Sequence, residues 1–419
     1  MANAVQKYLS RWAEPSVELA PRLPGRFRYG VCIPSYREGG RVCEAVQSVL
    51  AADDSVLVVV VVNAPPDAAD DELASNAESV AGLLKRFGPA GSIGPDAHLC
   101  TVAGSAVVVL ERRIPRKQGV GTARKTGLDL LFAAHMAGVV ESRVLHTTDA
   151  DARVPTTYLS AAHDAAKRVP DGAAWIHRFV HIAADPDLTA DSARYECRLR
   201  HHVLGLRWAG SPYAHQAIGS TIAVDATRYA QVRGVPKRSA GEDFYLLGKL
   251  AKLGPIVAID GDPIVLEGRA STRVPFGTGP ALHRAQQRDE PVRCYHPGVF
   301  DGLRQALAAM QRAVEENKPL LFDDGTSTER VRKAATDLGL GAMVDEINAL
   351  DWPAQRRLRR LHERFDAFAT LKMLHTLRAM GLPDEPVAEA LAASPLLGEL
   401  RGGLADWPAQ LEGLERAGW

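Results

Sequence analysis

The chain is poor in aromatic residues, which make up 6% of its 419 positions, and poor in cysteine, of which it has five. Cys32, Cys43, Cys100, Cys197 and Cys294 are odd in number and scattered without metal-ligand spacing. That excludes a fully paired disulfide framework and an ordinary structural zinc site, so the thiols read as reduced and structural. Net charge is also missing, because 50 basic residues balance 50 acidic ones. No overall field draws the chain to nucleic acid, and a small-molecule partner is the expectation. Long apolar runs are absent too. The longest, VLVVVVV at 56–62, falls far short of the about 20 residues that cross a bilayer, and the first residues lack a signal-peptide pattern. A cytoplasmic protein without a transmembrane segment follows as an expectation, with peripheral membrane association left open. No internal repeat or low-complexity tail is present.

What is there is an alternation of strand and helix patterns. Residues 1–27 read as a helical arm with Val5, Tyr8, Leu9 and Trp12 on one side, followed by a Pro-rich connector. YGVCIP is a strand stopped by Pro34, and SYREGGRVCEAVQSVL opens a helix. VLVVVVV suits a strand covered on both faces of a parallel sheet. A helix follows through about residue 87, then 88–105, rich in Gly, Pro and Ala, reads as a loop, and VVVLE at 107–111 reads as a third strand. GVGTARKTGLDLLFAAHMAG, 119–138, is the Gly-rich start of a long helix, and VESRVLHTT is the next strand. The sequence continues with the helix YLSAAHDAAKRVP, the strand AAWIHRFVHIA, a charged helix from 191, and a turn, strand and helix in AIGSTIAVDATRYAQVRGVP. IVAID and IVLEGRAS suggest a closing pair of strands. The pattern predicts an α/β fold with a mixed, mainly parallel sheet and right-handed crossovers. Beyond residue 296 helical periodicity replaces strand signals. The expected organisation is an arm (1–27), a sheet domain (28–295, divided near 155) and a helical C-terminal region (296–419) suited to covering an acceptor or making a homodimer.

LHTTDADARVP carries the chemistry. In an extended backbone Asp149 and Asp151 turn to one side while Ala150 faces away. Two hard oxygen donors suit Mg²⁺ or Mn²⁺, with substrate phosphate oxygens completing the shell; a polar turn is the alternative. In parallel α/β sheets ligands gather at the carboxyl ends of strands, where this pair falls. Pro34, Ser35, Tyr36, Arg37 and Glu38 occupy the equivalent position after the first strand, with Tyr36 suited to stacking on a base, and Asn63 ends the second. The glycines of GVGTARKTG fall at 119, 121 and 127, too late for a dinucleotide fingerprint. Gly121 could still offer backbone N–H groups, and Arg124 could meet phosphate. Glu242 and Asp243 begin a helix, where they serve as charge complement to its dipole or as catalysts. Arg269 and Arg273 sit in EGRASTRVPFGTGPALH, which reads as a lid over a diphosphate or as a solvated loop. His283 is a candidate third metal ligand.

The ordered set CIPSYRE, GVGTARKTG, TTDADARVP, AIGSTIAVDATRYAQVRGVP and AGEDFYLLGKL, over about residues 28–265, resembles the family 2 glycosyltransferases with the GT-A fold. The resemblance implies a nucleoside-diphosphate sugar donor and a hydroxyl acceptor. It also implies Mn²⁺ or Mg²⁺ at Asp151 with Asp149 nearer the ribose, and Asp243 as the base of an inverting transfer. NAPPD stands where the family usually carries an aspartate pair, and the Q-x-x-R-W motif of processive synthases is absent. A retaining GT-A transferase acting on a small acid acceptor with His283, a sugar nucleotidyltransferase and a non-catalytic sugar-nucleotide-binding module remain as alternatives.

Overall fold

The computed structural model describes every residue except 1, 89, 184, 274, 276, 289–291, 323–328, 395–399 and 419. The chain divides into two compact units, one of residues 1–182 and 217–267, the other of residues 183–216 and 268–419.

In chain order the strands of the first unit's large sheet are β1 (Tyr29–Ser35), β2 (Val56–Ala64), β3 (Ala90–Gly94), β4 (Ala97–Val102), β5 (Ser105–Arg113) and β6 (Val144–Thr147). The short β7 (Ala152–Arg153) lies outside it, and β8 (Ala174–Ile176) rejoins it. β9 (Phe179–Ala183) is followed by β10 (Ile222–Asp225) and β11 (Ile256–Ala258), both in the large sheet, and by β12 (Ile264–Gly268). The order across the sheet is β11-β8-β10-β6-β1-β2-β5-β4-β3. The pairing directions leave β4 and β10 running against the other seven strands, so the sheet is mixed and mostly parallel. β2 is buried at every position, as its uniform valines require between two parallel neighbours.

The helices of this unit are α1 (Ala2–Arg11), α2 (Arg41–Leu50), α3 (Asp70–Phe87), α4 (Gly119–Met136) and α5 (Tyr158–Arg168), with α7 (Ala226–Gln231) and α8 (Glu242–Leu250) beyond the intervening α6 (Thr189–Trp208) of the second unit. Helix α4 lies on the face of β1 that carries Gly30 and Cys32. A Cβ on Gly127 would stand 2.4 Å from the Cys32 sulfur, so only glycine permits that approach. Helix α5 covers the other face through Tyr158 against His146, which lies in register with Val31. Tyr8 of α1 is fully buried in this core, with Val5, Leu9 and Trp12 packed beside it.

Four readings of the sequence need correction. The stretch 88–105 is not a loop: β3 and β4 form a hairpin, and β4 pairs with β5 in a second. The first turn places Pro95 before Asp96 at φ 50, and the second has Ala103 and Gly104 both at positive φ, the conformation that tight hairpins prefer. Its glycines and prolines are turn chemistry between short strands. IVAID and IVLEGRAS are not a pair, since β11 joins β8 whereas β12 joins β7. AAWIHRFVHIA breaks into β8 and β9 around His177 and Arg178. Strand β1 also runs through Pro34 to Ser35. Cys32 points its carbonyl toward β6, accepting from the Thr148 N–H at 3.0 Å, and Pro34 points the same way by alternation. The β6 ladder stops at Cys32, so the proline's missing N–H deprives no strand.

The second unit is mainly helical. It holds α6, α9 (Thr278–Arg288), α10 (Gly298–Glu315), α11 (Glu329–Asp337), α12 (Leu340–Asn348), α13 (Ala354–Arg364), α14 (Ala367–Ala379), α15 (Val387–Ala393) and α16 (Trp407–Arg416), with one small ladder between β13 (Arg293–Cys294) and β14 (Glu385–Pro386). Its largest core gathers Phe300, Leu303, Met310, Leu361, Met373 and Leu377. Among the described residues no helix is long and apolar enough to cross a membrane.

Candidate functional site

The carboxyl end of β6 runs straight into Thr148 and Asp149, and at that point the first unit buries an arginine. Arg124, in the first turns of α4, is 2% exposed. Its Nη2 donates to Asp149 Oδ1 at 2.8 Å, its Nε to Glu242 Oε1 at 3.1 Å, and its Nη1 to Thr147 Oγ1 at 2.5 Å and the Gly219 carbonyl at 3.1 Å. Burial works against its charge, but the two carboxylates outweigh burial and hold the guanidinium firmly protonated. The segment before β10 is shaped around this cation. A Cβ on Gly219 would meet Nη2 at 2.4 Å, and Ser220 donates its hydroxyl to Asp149 Oδ2. Thus Asp149, which leaves the sheet at β6, and Glu242, which opens α8, are joined through one planar fork.

Asp243 lies beside this pair. Gly241 reaches the helix start in a left-handed conformation, φ 71, that a side chain would resist. Glu242 is buried with its carboxylate committed to Arg124, whereas Asp243 keeps part of its side chain open to solvent. The protein packed around Asp243, and then the Glu242 charge, push its carboxyl up to about 7, while the Phe244 N–H, donating to it at 2.7 Å, opposes the shift. A carboxyl that titrates near neutrality beside a fixed buried ion pair is chemically suited to exchange a proton.

Around the mouth of the sheet, Ser35 and Thr148 bury hydroxyl oxygens that meet no hydrogen-bond partner among the described residues. Ser35 ends β1 and Thr148 directly follows its parallel neighbour β6, where a ligand could satisfy them. Tyr36 donates its hydroxyl to Glu72, and Arg37 pairs with Asp71 at 2.9 Å. Glu72 also takes Arg116 at 3.0 Å, and these bonds hold its carboxyl down at about 2. Glu38 is buried. Asn63 is buried too, its carbonyl accepting from the Asn76 side chain at 2.8 Å. Gly121 serves packing: its N–H donates to the Arg238 carbonyl at 2.9 Å, and a Cβ there would strike the Pro236 carbonyl oxygen at 2.4 Å. The backbone start of α4 is therefore closed by residues 236–238, and its Gly121 amide is already spent.

Asp151 stands two residues beyond Asp149, partly exposed. Among the described residues no three His, Cys, Asp or Glu side chains gather as a metal cage. The donor set at 149–151 fits a hard divalent cation held by one or two carboxylates and by oxygens of a ligand, the usual habit of Mg²⁺. It does not make an all-protein cage. Arg269, Arg273 and His283 belong to the second unit, where Arg273 donates to Ser271 Oγ at 3.1 Å. Val274 and Phe276 of the expected lid lie outside the described residues.

Sequence reasoning missed Thr147, Thr148, Gly219 and Ser220. Thr147 and Thr148 stood next to the aspartate pair, which was a usable signal; Gly219 and Ser220 lay in the quoted AIGSTIAVDATRYAQVRGVP, but nothing local tied them to partners 95 residues away at Arg124 and 71 away at Asp149. No known protein-family model matches the chain, and no curated protein matches it.

Proposed function

We propose that the first unit is a metal-dependent glycosyltransferase of GT-A type, which moves a sugar from a nucleoside-diphosphate donor to an acceptor hydroxyl with inversion. The observation that carries this reading is the buried Arg124 holding Asp149 at one end and Glu242 at the other, beside a carboxyl poised near neutrality. Asp151, with Asp149, would hold the divalent cation, which supplies charge neutralisation for the departing diphosphate when bound. Ser35 and Thr148 offer hydroxyls to the donor. Arg124 orients Asp149 and Glu242, and Glu242 keeps that guanidinium neutralised and fixed. Asp243 accepts the proton of the acceptor hydroxyl as its oxygen bonds to the anomeric carbon, and the bond from that carbon to the diphosphate oxygen breaks, releasing the nucleoside diphosphate. A nucleotidyltransferase reading is disfavoured, because such an enzyme would carry a Gly-rich loop bearing both Arg and Lys straight after β1, where PSYREGG supplies a single arginine and no lysine.

The test is titration of a panel of sugar nucleotides with and without Mn²⁺, followed by transfer assays. Asp243→Asn should retain donor binding within about threefold and lose transfer by about a thousandfold, the scale of a removed general base. Because the base works deprotonated, wild-type transfer should rise with pH through about 7 and level off above it. Failure of every sugar nucleotide to bind removes the reading; binding without turnover across acceptors leaves a donor-binding module.

A further inference from the structure

In a chain whose formal charge is zero, α13 is an outlier. AQRRLRRLHER places Arg356, Arg357, Arg359, Arg360 and Arg364 against one acid, Glu363, a surplus of four positive charges in eleven residues. Its apolar side is already used, since Leu361 is fully buried and Leu358 packs on the same core. Arg357 is used as well, donating to the Trp352 carbonyl at 2.7 Å and the Val314 carbonyl at 3.0 Å. What remains is a solvent face bearing Gln355, Arg356, Arg359 and Arg364, all exposed. The Arg356 guanidinium carbon stands 3.8 Å from the centroid of the Trp352 ring, and Arg359 makes no hydrogen bond or ion pair with another described residue. Arg360 and Arg364 meet Glu363 at 3.0 Å and Glu346 at 2.9 Å, contacts at the surface that bind weakly and leave the cations available. From Arg364 the chain passes through Phe365 and Asp366 into α14, whose first turn exposes 41% of Phe368 with Lys372 over its ring at 4.7 Å.

We infer that the α13 face of the second unit docks on the surface of an anionic phospholipid bilayer. Arg356, Arg359, Arg360 and Arg364, four outward arginines on one short helix, match the number at which basic segments bind acidic headgroups, and a half-buried Trp352 and an exposed Phe368 supply rings suited to headgroup level. The cations contact the lipid phosphates; the helix does not insert, because its leucines are spent on the protein core. This inference stands apart from the transfer reaction proposed for the first unit. It would put the chain at the membrane through the α13 surface.

The experiment is sedimentation of the full chain with phosphatidylcholine vesicles, with and without phosphatidylglycerol, at low and high salt. Binding should require phosphatidylglycerol and disappear at high salt as the charges are screened. Each surface cation is worth about fivefold in partitioning, so Arg356→Gln with Arg359→Gln should lower it about thirtyfold while circular dichroism stays unchanged. Phe368→Ala should weaken it further without changing its salt dependence. No binding to the anionic vesicles overturns the inference, and so does binding that the double variant leaves intact. Tighter binding to duplex DNA or RNA than to anionic vesicles, abolished by the same two substitutions, also overturns it and assigns the face to nucleic acid.

Discussion

Gly219 shows how narrowly the candidate site is set. Its missing side chain is the space that Arg124 Nη2 occupies, and the carbonyl of the same residue accepts from Nη1. Gly219→Ala should drive the guanidinium off Asp149, leaving a part-buried carboxylate short of a donor and the buried guanidinium short of a partner. A loss of about 1–3 kcal/mol in unfolding free energy is expected, together with about tenfold weaker donor binding. Ser220→Ala, which removes only the neutral donor to Asp149, should cost about 1 kcal/mol and is the control. Equal melting temperatures for wild type and Gly219→Ala would show that the fork tolerates displacement. The members of this site were legible to different degrees. Asp149, Asp151 and Asp243 stood out as carboxylates at strand or helix ends, a local pattern. That Arg124 couples Asp149 to Glu242 was not legible, because it depends on two crossovers of the sheet returning Gly219 and Gly241 to the mouth of β6.

The same division between local and distant information holds for whole elements. The parallel centre was readable from uniform valine content and the regular return of helix patterns, whereas the β3–β4 hairpin was hidden because its turns share their residues with loops. The N-terminal arm was readable as amphipathic, but its polar anchor was not. Asp129 of α4 is fully buried and receives Lys125 Nζ at 2.8 Å, the Tyr229 hydroxyl at 2.6 Å, the Glu14 N–H at 2.7 Å and the Tyr8 hydroxyl. Burial raises its carboxyl, and Lys125 opposes that rise. One carboxylate thereby ties the arm and α7 to α4, the helix that supplies Arg124. Tyr8→Phe deletes one of four donors and should cost about 1–2 kcal/mol in urea unfolding. Asp129→Asn leaves Lys125 buried without its charge partner and should cost about 3–5 kcal/mol. If the two substitutions cost the same, the ion pair contributes nothing beyond a hydrogen bond, and α1 is held by its apolar side alone.

Across the molecule, both units bury histidines that are held neutral. In the first, burial and then the neighbouring His163 push His146 down to about 3, and His177 is held well below its ordinary value by burial and by His146. In the second, burial pushes His201 down to about 3 and His202 and His215 to about 4. Both ring nitrogens of His146 lack a hydrogen-bond partner among the described residues, so that ring is not prepared to carry a proton. The sign follows from proton counts. Between the folded values and the unfolded one near 6.5, the unfolded chain binds protons that the folded chain refuses, so stability rises with pH in that window and is lost as pH falls. Each histidine contributes at most about 1.4 kcal/mol per pH unit, and a carboxyl raised by burial to about 7, Asp243 in the first unit and Glu415 in the second, offsets one histidine in each; the second unit, where burial also lowers His362 and His375, keeps the steeper acid loss. Unfolding by urea, followed separately for the two units, should therefore weaken from about pH 6.5 downward, before the carboxylates with ordinary values protonate near 4. His146→Phe, which fits a ring already treated as apolar, should flatten the slope of the first unit by about one proton and leave the second unchanged. An unaltered slope in that variant would mean that the unfolded first unit gains no proton at His146, and that its acid sensitivity comes from groups outside the His146, Tyr158 and His177 stack.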